Sequence, residues 1–154
     1  RKALDADPDH APAANALAYQ WALQNRNLDR ALELVQVAVR GDRQSSAYLD
    51  TMGWVYYKLG RFDLAVEWLE RARQADDGEY PIIVDHLGDA LYRLGERRRA
   101  QRAWAQALQL LEGKDWGTED PELDGLKARL EAKLEALEAG RDPATAIVPA
   151  NEAA

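Results

Sequence analysis

Asp85, His86 and Asp89 fall within one helical turn and carry two carboxylates and an imidazole, the donor types that hold divalent metals. A site of that kind needs three or four ligands converging on one point, and His10 lies far away on a linker. The spacing therefore reads as a satisfied or exposed histidine, and no metal is expected. Arg97, Arg98, Arg99 and Arg102 make a basic turn beside Glu96, which on a helix reads as a solvated face before it reads as a docking patch. No serine is placed with a histidine and a carboxylate as a triad, and no glycine-rich loop joins a strand to a helix. Zero cysteines exclude thiolate chemistry and disulfides. These residues point to no catalytic group and no cofactor, and the expectation is that the chain is not an enzyme.

The elements that carry these residues are set by an internal repeat. Gly53 is followed by Gly88, Gly60 by Gly95, Ala65 by Ala100, Leu69 by Trp104 and Ala72 by Ala107, all at a shift of about 35 residues. A fainter copy places Ala18, Ala31, Val35 and Ala38 ahead of Gly53, Ala65, Leu69 and Ala72. A period of this size marks a helical solenoid, in which a two-helix unit buries its apolar face by stacking on its neighbours. In the middle copy Met52, Gly53, Tyr56 and Leu59 share one helical face, and Gly60 ends that helix. Phe62 opens a second helix on which Ala65, Leu69 and Ala72 share a face. Small residues at Gly53 and Ala65 let the two backbones approach, while Tyr56, Phe62 and Leu69 fill the space around the contact. The third copy repeats the scheme with Leu87, Gly88, Leu91, Gly95, Ala100, Trp104 and Ala107.

With glycine, alanine and aromatic positions matching together, the chain resembles the tetratricopeptide repeat family, and Leu49-Asp50-Thr51-Met52-Gly53-Trp54-Val55-Tyr56-Tyr57-Lys58-Leu59-Gly60 is similar to a form common in bacterial members. The resemblance implies an all-α, right-handed α-solenoid of three helical hairpins, at about 11–44, 45–78 and 79–112. Helices are expected near 11–24, 28–40, 45–59, 62–75, 81–94 and 97–112, with no strand. The first copy departs from the pattern in its turn Gln24-Asn25-Arg26-Asn27, which has one extra residue and no glycine. Asparagine tolerates the left-handed conformation and stands in there.

The ends differ from the middle. Pro8 falls where a proline ends one repeat and begins the next, so residues 1–10 read as the remnant of a preceding repeat and the chain as the C-terminal piece of a longer array. An outer face of the first hairpin left uncovered, near Leu17, Trp21 and Leu28, would favour self-association through that end. Gly113, Gly117 and Pro121 mark a loop over 113–120. Leu123, Leu126, Leu130, Leu134 and Leu137 then form a one-sided stripe, read as a capping helix over 121–139 that lids the last repeat. Residues 140–154 read as a flexible tail.

In such a solenoid the first helix of each hairpin lines an inner groove. The residues that avoid the packing face there are Asn15, Tyr19 and Leu23; Asp50, Trp54, Tyr57 and Lys58; and Asp85, Asp89, Tyr92 and Arg93. Aromatic rings flanked by carboxylates and an amide suit an extended or helical peptide. Against this, Trp54 and Tyr57 are as readily core rings at a repeat junction, and each aspartate taken singly reads as a solvated group. In the chaperone-binding branch of the family, lysine, asparagine and arginine clamp a peptide's terminal carboxylate. The matching face here shows Asn15 but then Tyr19, Asp50, Asp85 and Asp89, so that clamp is incomplete.

The function expected is a protein-interaction module, a scaffold or adaptor holding a peptide or partner segment. The alternative is an accessory domain that presents substrate to an enzyme, such as a transferase, encoded in a longer chain. The net charge of -7 is concentrated toward the C-terminus, where residues 113–154 carry 5 basic and 10 acidic side chains. Nucleic acid is an unexpected partner for such a balance. The 47% hydrophobic content supplies a core without a run long enough to span a membrane. Compartment is not legible, since cysteine-free chains suit reducing and oxidising surroundings alike.

Overall fold

The computed structural model describes residues 10–149. Residues 1–9 of the remnant expected over 1–10, and the last residues of the expected tail, 150–154, lie outside the described residues. Within them the fold is all-α, of the solenoid class: α1 (Ala11–Leu23), α2 (Leu28–Gly41), α3 (Ser46–Lys58), α4 (Phe62–Gln74), α5 (Pro81–Arg93), α6 (Arg97–Gly113), a 3-10 turn (Pro121–Leu123) and α7 (Leu126–Glu138). Among the described residues no strand forms, and the extended pairing is a single parallel bridge between Ser45 and Asp76. The described residues divide into two compact units, one of residues 10–78 with 147–149 and the other of residues 79–146.

Recurring helix ends set the hairpin turns. After α3, Gly60 takes φ +79° and its N–H bonds Tyr57 O, while Arg61 N bonds Tyr56 O. Gly95 repeats this after α5 with φ +94°, through Tyr92 O and Leu91 O. Both are glycine-centred C-caps that satisfy carbonyls left over at a helix end. The glycine-free turn after α1 is built the same way, with Asn25 at φ +55° donating to Ala22 O and Arg26 to Trp21 O. Asn27 is left-handed as well, at φ +51°, which absorbs the extra residue. Helix starts use other devices: Ser45 caps α3 by accepting from Tyr48 N at 3.2 Å, and Pro81 opens α5.

In the first unit, α1 with α2 and α3 with α4 form two antiparallel hairpins. Their core is Ala14, Ala18, Leu34, Val35, Val55, Ala65, Leu69 and Ala72, all essentially without exposure. Trp21 is buried, and Leu17 and Leu28 are half-buried. Gly53 is where α3 meets α4 most closely: a Cβ there would sit 2.6 Å from Leu69 Cγ and 3.1 Å from Leu69 N. The repeated glycine is therefore a contact residue, required by the separation of the two backbones.

In the second unit, Gly88 of α5 meets Trp104 of α6, where a Cβ would lie 2.4 Å from the indole Cδ1 and Nε1. The loop after α6 is tied down by Trp116, whose Nε1 donates to Leu110 O at 2.9 Å and whose ring meets Tyr80 edge-on at 5.3 Å. The Tyr80 hydroxyl in turn donates to Asp120. The expected capping helix over 121–139 begins later than its sequence implies. Asp120 accepts from Glu122 N at 2.9 Å and starts a 3-10 turn, and Gly125 at φ +72° then breaks the chain before α7. Leu126, Leu130, Lys133 and Ala136 form the buried face of α7, with Leu134 and Leu137 half-buried beside it.

Candidate functional site

The expected groove residues have distinct surroundings in the two units. In the first unit Asn15 and Tyr19 of α1 are half-buried and Leu23 is exposed. Trp54 and Tyr57 of α3 are buried and stack on each other, centroids 4.4 Å apart, and Phe62 meets Tyr57 edge-on at 5.4 Å. Rings in this state serve packing, with Tyr57 retaining no exposure at all. Asp50 is buried. Lys58, also buried, lies 5.8 Å from the centroid of the Trp54 ring and donates to Asn25 Oδ1 at 2.7 Å, joining the first hairpin's turn to the second hairpin. A cavity of about 700 Å³ opens elsewhere in this unit, between α2, α3 and α4, with Arg40, Arg43, Arg71 and Trp68 around an apolar floor of Val39, Leu49 and Met52.

In the second unit the expected residues come together. Asp85 and Asp89, one turn apart on α5, both accept from Lys133 Nζ of α7, each at 2.8 Å. All three side chains are nearly closed off from solvent. Asp89 Oδ1 also accepts from Trp104 Nε1 at 3.2 Å, and the ammonium lies 5.4 Å from the Trp104 ring centroid. One cation shared by two carboxylates leaves a net negative charge in a desolvated place. Burial, and then the Asp85 charge, raise the Asp89 pKa above the usual carboxylate value, with Lys133 and the Ala146 amide opposing them. Burial alone would lower the Lys133 pKa, but Asp89 and Asp85 together outweigh it and hold the ammonium charged. Asp85 and Asp89 thus have their cation supplied by the chain. Among the described residues no group of three or more His, Asp or Glu is placed to hold a metal ion, and His86 is buried in α5.

At the outer end of α5, three residues meet the segment that follows α7. Asp89 Oδ2 accepts from Ala146 N at 3.0 Å. Arg93 donates through Nε to Thr145 Oγ1 at 3.1 Å and through Nη2 to Ala146 O at 3.2 Å. Tyr92 donates its hydroxyl to Asp142, whose acceptance raises the Tyr92 pKa, and the Arg97 guanidinium lies 5.5 Å from the same ring. Residues 141–146, expected to begin a flexible tail, therefore run along α5 as coil, and Pro143 is buried. Sequence reasoning missed Lys133, the indole N–H of Trp104 and this segment. The signal for Lys133 was its place three residues after Leu130, on the face that α7 buries.

Residues 46–78 match the Tetratricopeptide repeat family. A TPR repeat-containing protein of Pseudomonas aeruginosa is 35% identical over 85 residues, which is 54% of this chain and 14% of that relative. Among solved structures, the type III secretion translocator chaperone SycD of Yersinia enterocolitica aligns with a TM-score of 0.71 at 21% identity, over 86% of each chain. PcrH of Pseudomonas aeruginosa, solved in complex with the chaperone binding region of PopD, aligns with a TM-score of 0.72 at 22% identity, over 87% of this chain and 95% of that one. A type III secretion complex from Aeromonas hydrophila gives 0.71 at 23%, over 86% of this chain and 83% of that one. At these identities the likeness to the solved structures is one of fold. The paired glycines that seat Leu69 and Trp104 and the left-handed caps that close each hairpin extend, on either side of the matched residues 46–78, the pattern in which the chain is similar to the tetratricopeptide repeat family.

Proposed function

We propose that this chain is a protein-interaction module whose binding surface includes the outer end of α5, where Asp89, Tyr92 and Arg93 receive a non-helical segment of a partner. The observation that carries this reading is the grip on Ala146, whose N–H is accepted by Asp89 and whose C=O is met by Arg93. Holding both main-chain groups of one residue is a means of binding a peptide whatever its side chain there. Two of the structural relatives are named as chaperones or chaperone complexes, which supports a role in binding polypeptide. In this reading Trp54 and Tyr57 hold the first unit together, while Asn15, Tyr19 and Leu23 are the less buried groove candidates there.

Selection of displayed peptides against the immobilised full chain, followed by calorimetry on those enriched, tests the proposal. Peptides whose binding falls tenfold or more on Arg93→Ala support it. Enriched peptides indifferent to Arg93 and Tyr92, or no enrichment at all, count against it.

A further inference from the structure

Asp89 is split between two tasks. Its Oδ1 is occupied from within by Lys133 and Trp104, which fixes the carboxylate before anything arrives at the surface. Its Oδ2 accepts the Ala146 amide. Such a preset acceptor, backed by a buried cation, loses little freedom on binding. Around it the segment follows a fixed register: a carboxylate at 142 for Tyr92, a hydroxyl at 145 for Arg93, and both main-chain groups of 146 for Asp89 and Arg93.

We propose that residues 142–146 are a tethered occupant of the α5 site, and that the partner which displaces them is a peptide with an acidic residue three positions before a serine or threonine. This rests on the interaction reading above and adds the occupant and the chemistry of its competitor. The tether is short: α7 ends at Glu138, and Arg141 N already bonds Ala136 O at 2.7 Å. A segment tethered this closely is presented at an effective concentration of order 1 mM. If its own dissociation constant is about 0.1 mM, a competitor's apparent affinity drops about tenfold. A partner then binds well only if it reproduces these contacts and adds others, which makes the tail a threshold against weak, unspecific peptides.

The test uses the full chain and a labelled synthetic peptide of residues 141–149 added in trans. In the variant carrying Asp142→Ala and Thr145→Ala the chain's own tail is loosened, at positions whose side chains are not part of the core. The added peptide is expected to bind this variant about tenfold more tightly than it binds the unaltered chain, and Arg93→Ala in the same background should abolish the gain. Equal binding to both forms, or no binding to the loosened variant at millimolar peptide, overturns the proposal. Library-selected peptides that need Arg93 but bind both forms equally would leave the interaction reading standing while removing the tail from it. If selected peptides ignore Arg93 altogether, both fail.

Discussion

Replacing Lys133 with methionine removes the one cation that two buried carboxylates share while keeping much of the side-chain volume. Asp85 and Asp89 then remain at side-chain exposures of 11% and 4%. Breaking a buried ion pair by deleting one partner costs about 3–5 kcal/mol, because the other charge is left uncompensated. Asp89 keeps the Trp104 and Ala146 donors, and with its pKa already raised it can escape part of the penalty by taking up a proton. A loss near the lower end, about 3 kcal/mol at pH 8, is therefore expected. The pH dependence carries a definite sign. Asp89 already binds its proton more tightly in the folded chain than an ordinary carboxylate, so its contribution is fully present below about pH 4, the value of the unfolded chain, and is lost as pH rises through the raised folded value. Without Lys133 that effect grows, so the gap between variant and unaltered chain should shrink at pH 4.5. Urea unfolding followed by far-ultraviolet circular dichroism at pH 4.5 and pH 8 measures both. Adding Asp85→Asn and Asp89→Asn to Lys133→Met should restore most of the loss. A cost below about 1 kcal/mol at pH 8, or one that does not change with pH, refutes the reasoning.

Gly88→Ala places a methyl 2.4 Å from an indole that is fully buried and held by its bond to Asp89; overpacking of about 1–3 kcal/mol outweighs a helix-propensity gain of about 1 kcal/mol. Gly113→Ala, with open space around it, should be neutral or stabilising in the same denaturation assay. Asn25→Gly relieves the left-handed strain by up to about 1 kcal/mol but forfeits a charge-assisted bond to Lys58 worth about 1.5–3 kcal/mol, so chemical denaturation should show a net loss. Tyr80 has its pKa raised first by burial and then by its bond to Asp120, so in a spectrophotometric titration of the folded chain the component missing from Tyr80→Phe should be a late-ionising one.

The hairpins were legible because their decisive contacts recur. Gly53 and Gly88 occupy matching places before Leu69 and Trp104, and the physical cause of the pattern is the close approach seen at both. Helix ends were legible for a similar reason, since Gly60 and Gly95 supply left-handed caps and Asn25 replaces glycine in the one turn that lacks it. The α5 site was legible only in half. Asp85, Asp89, Tyr92 and Arg93 stood out by their spacing, but nothing local says that a lysine 44 residues after Asp89 completes them. Lys133 sits in a leucine-rich helix where a charged residue reads as solvent-facing, and its burial depends on the carboxylates opposite. Residues 141–146 have neither helical nor strand periodicity, so their docking is a tertiary effect that composition reads as mobility. Trp54 and Tyr57 carried two readings because a large ring beside a repeat junction has the same spacing whether it faces a ligand or the next helix.

The most direct test of peptide binding at α5 is a nitrogen-15 NMR titration of the full chain with a peptide enriched by selection. The largest shift changes are expected at residues 89–93 and 142–146, with the Ala146 amide exchanging faster with solvent as its place is taken. Changes confined to other residues, with Ala146 and α5 unmoved at saturation, would contradict the assignment of the partner to this surface.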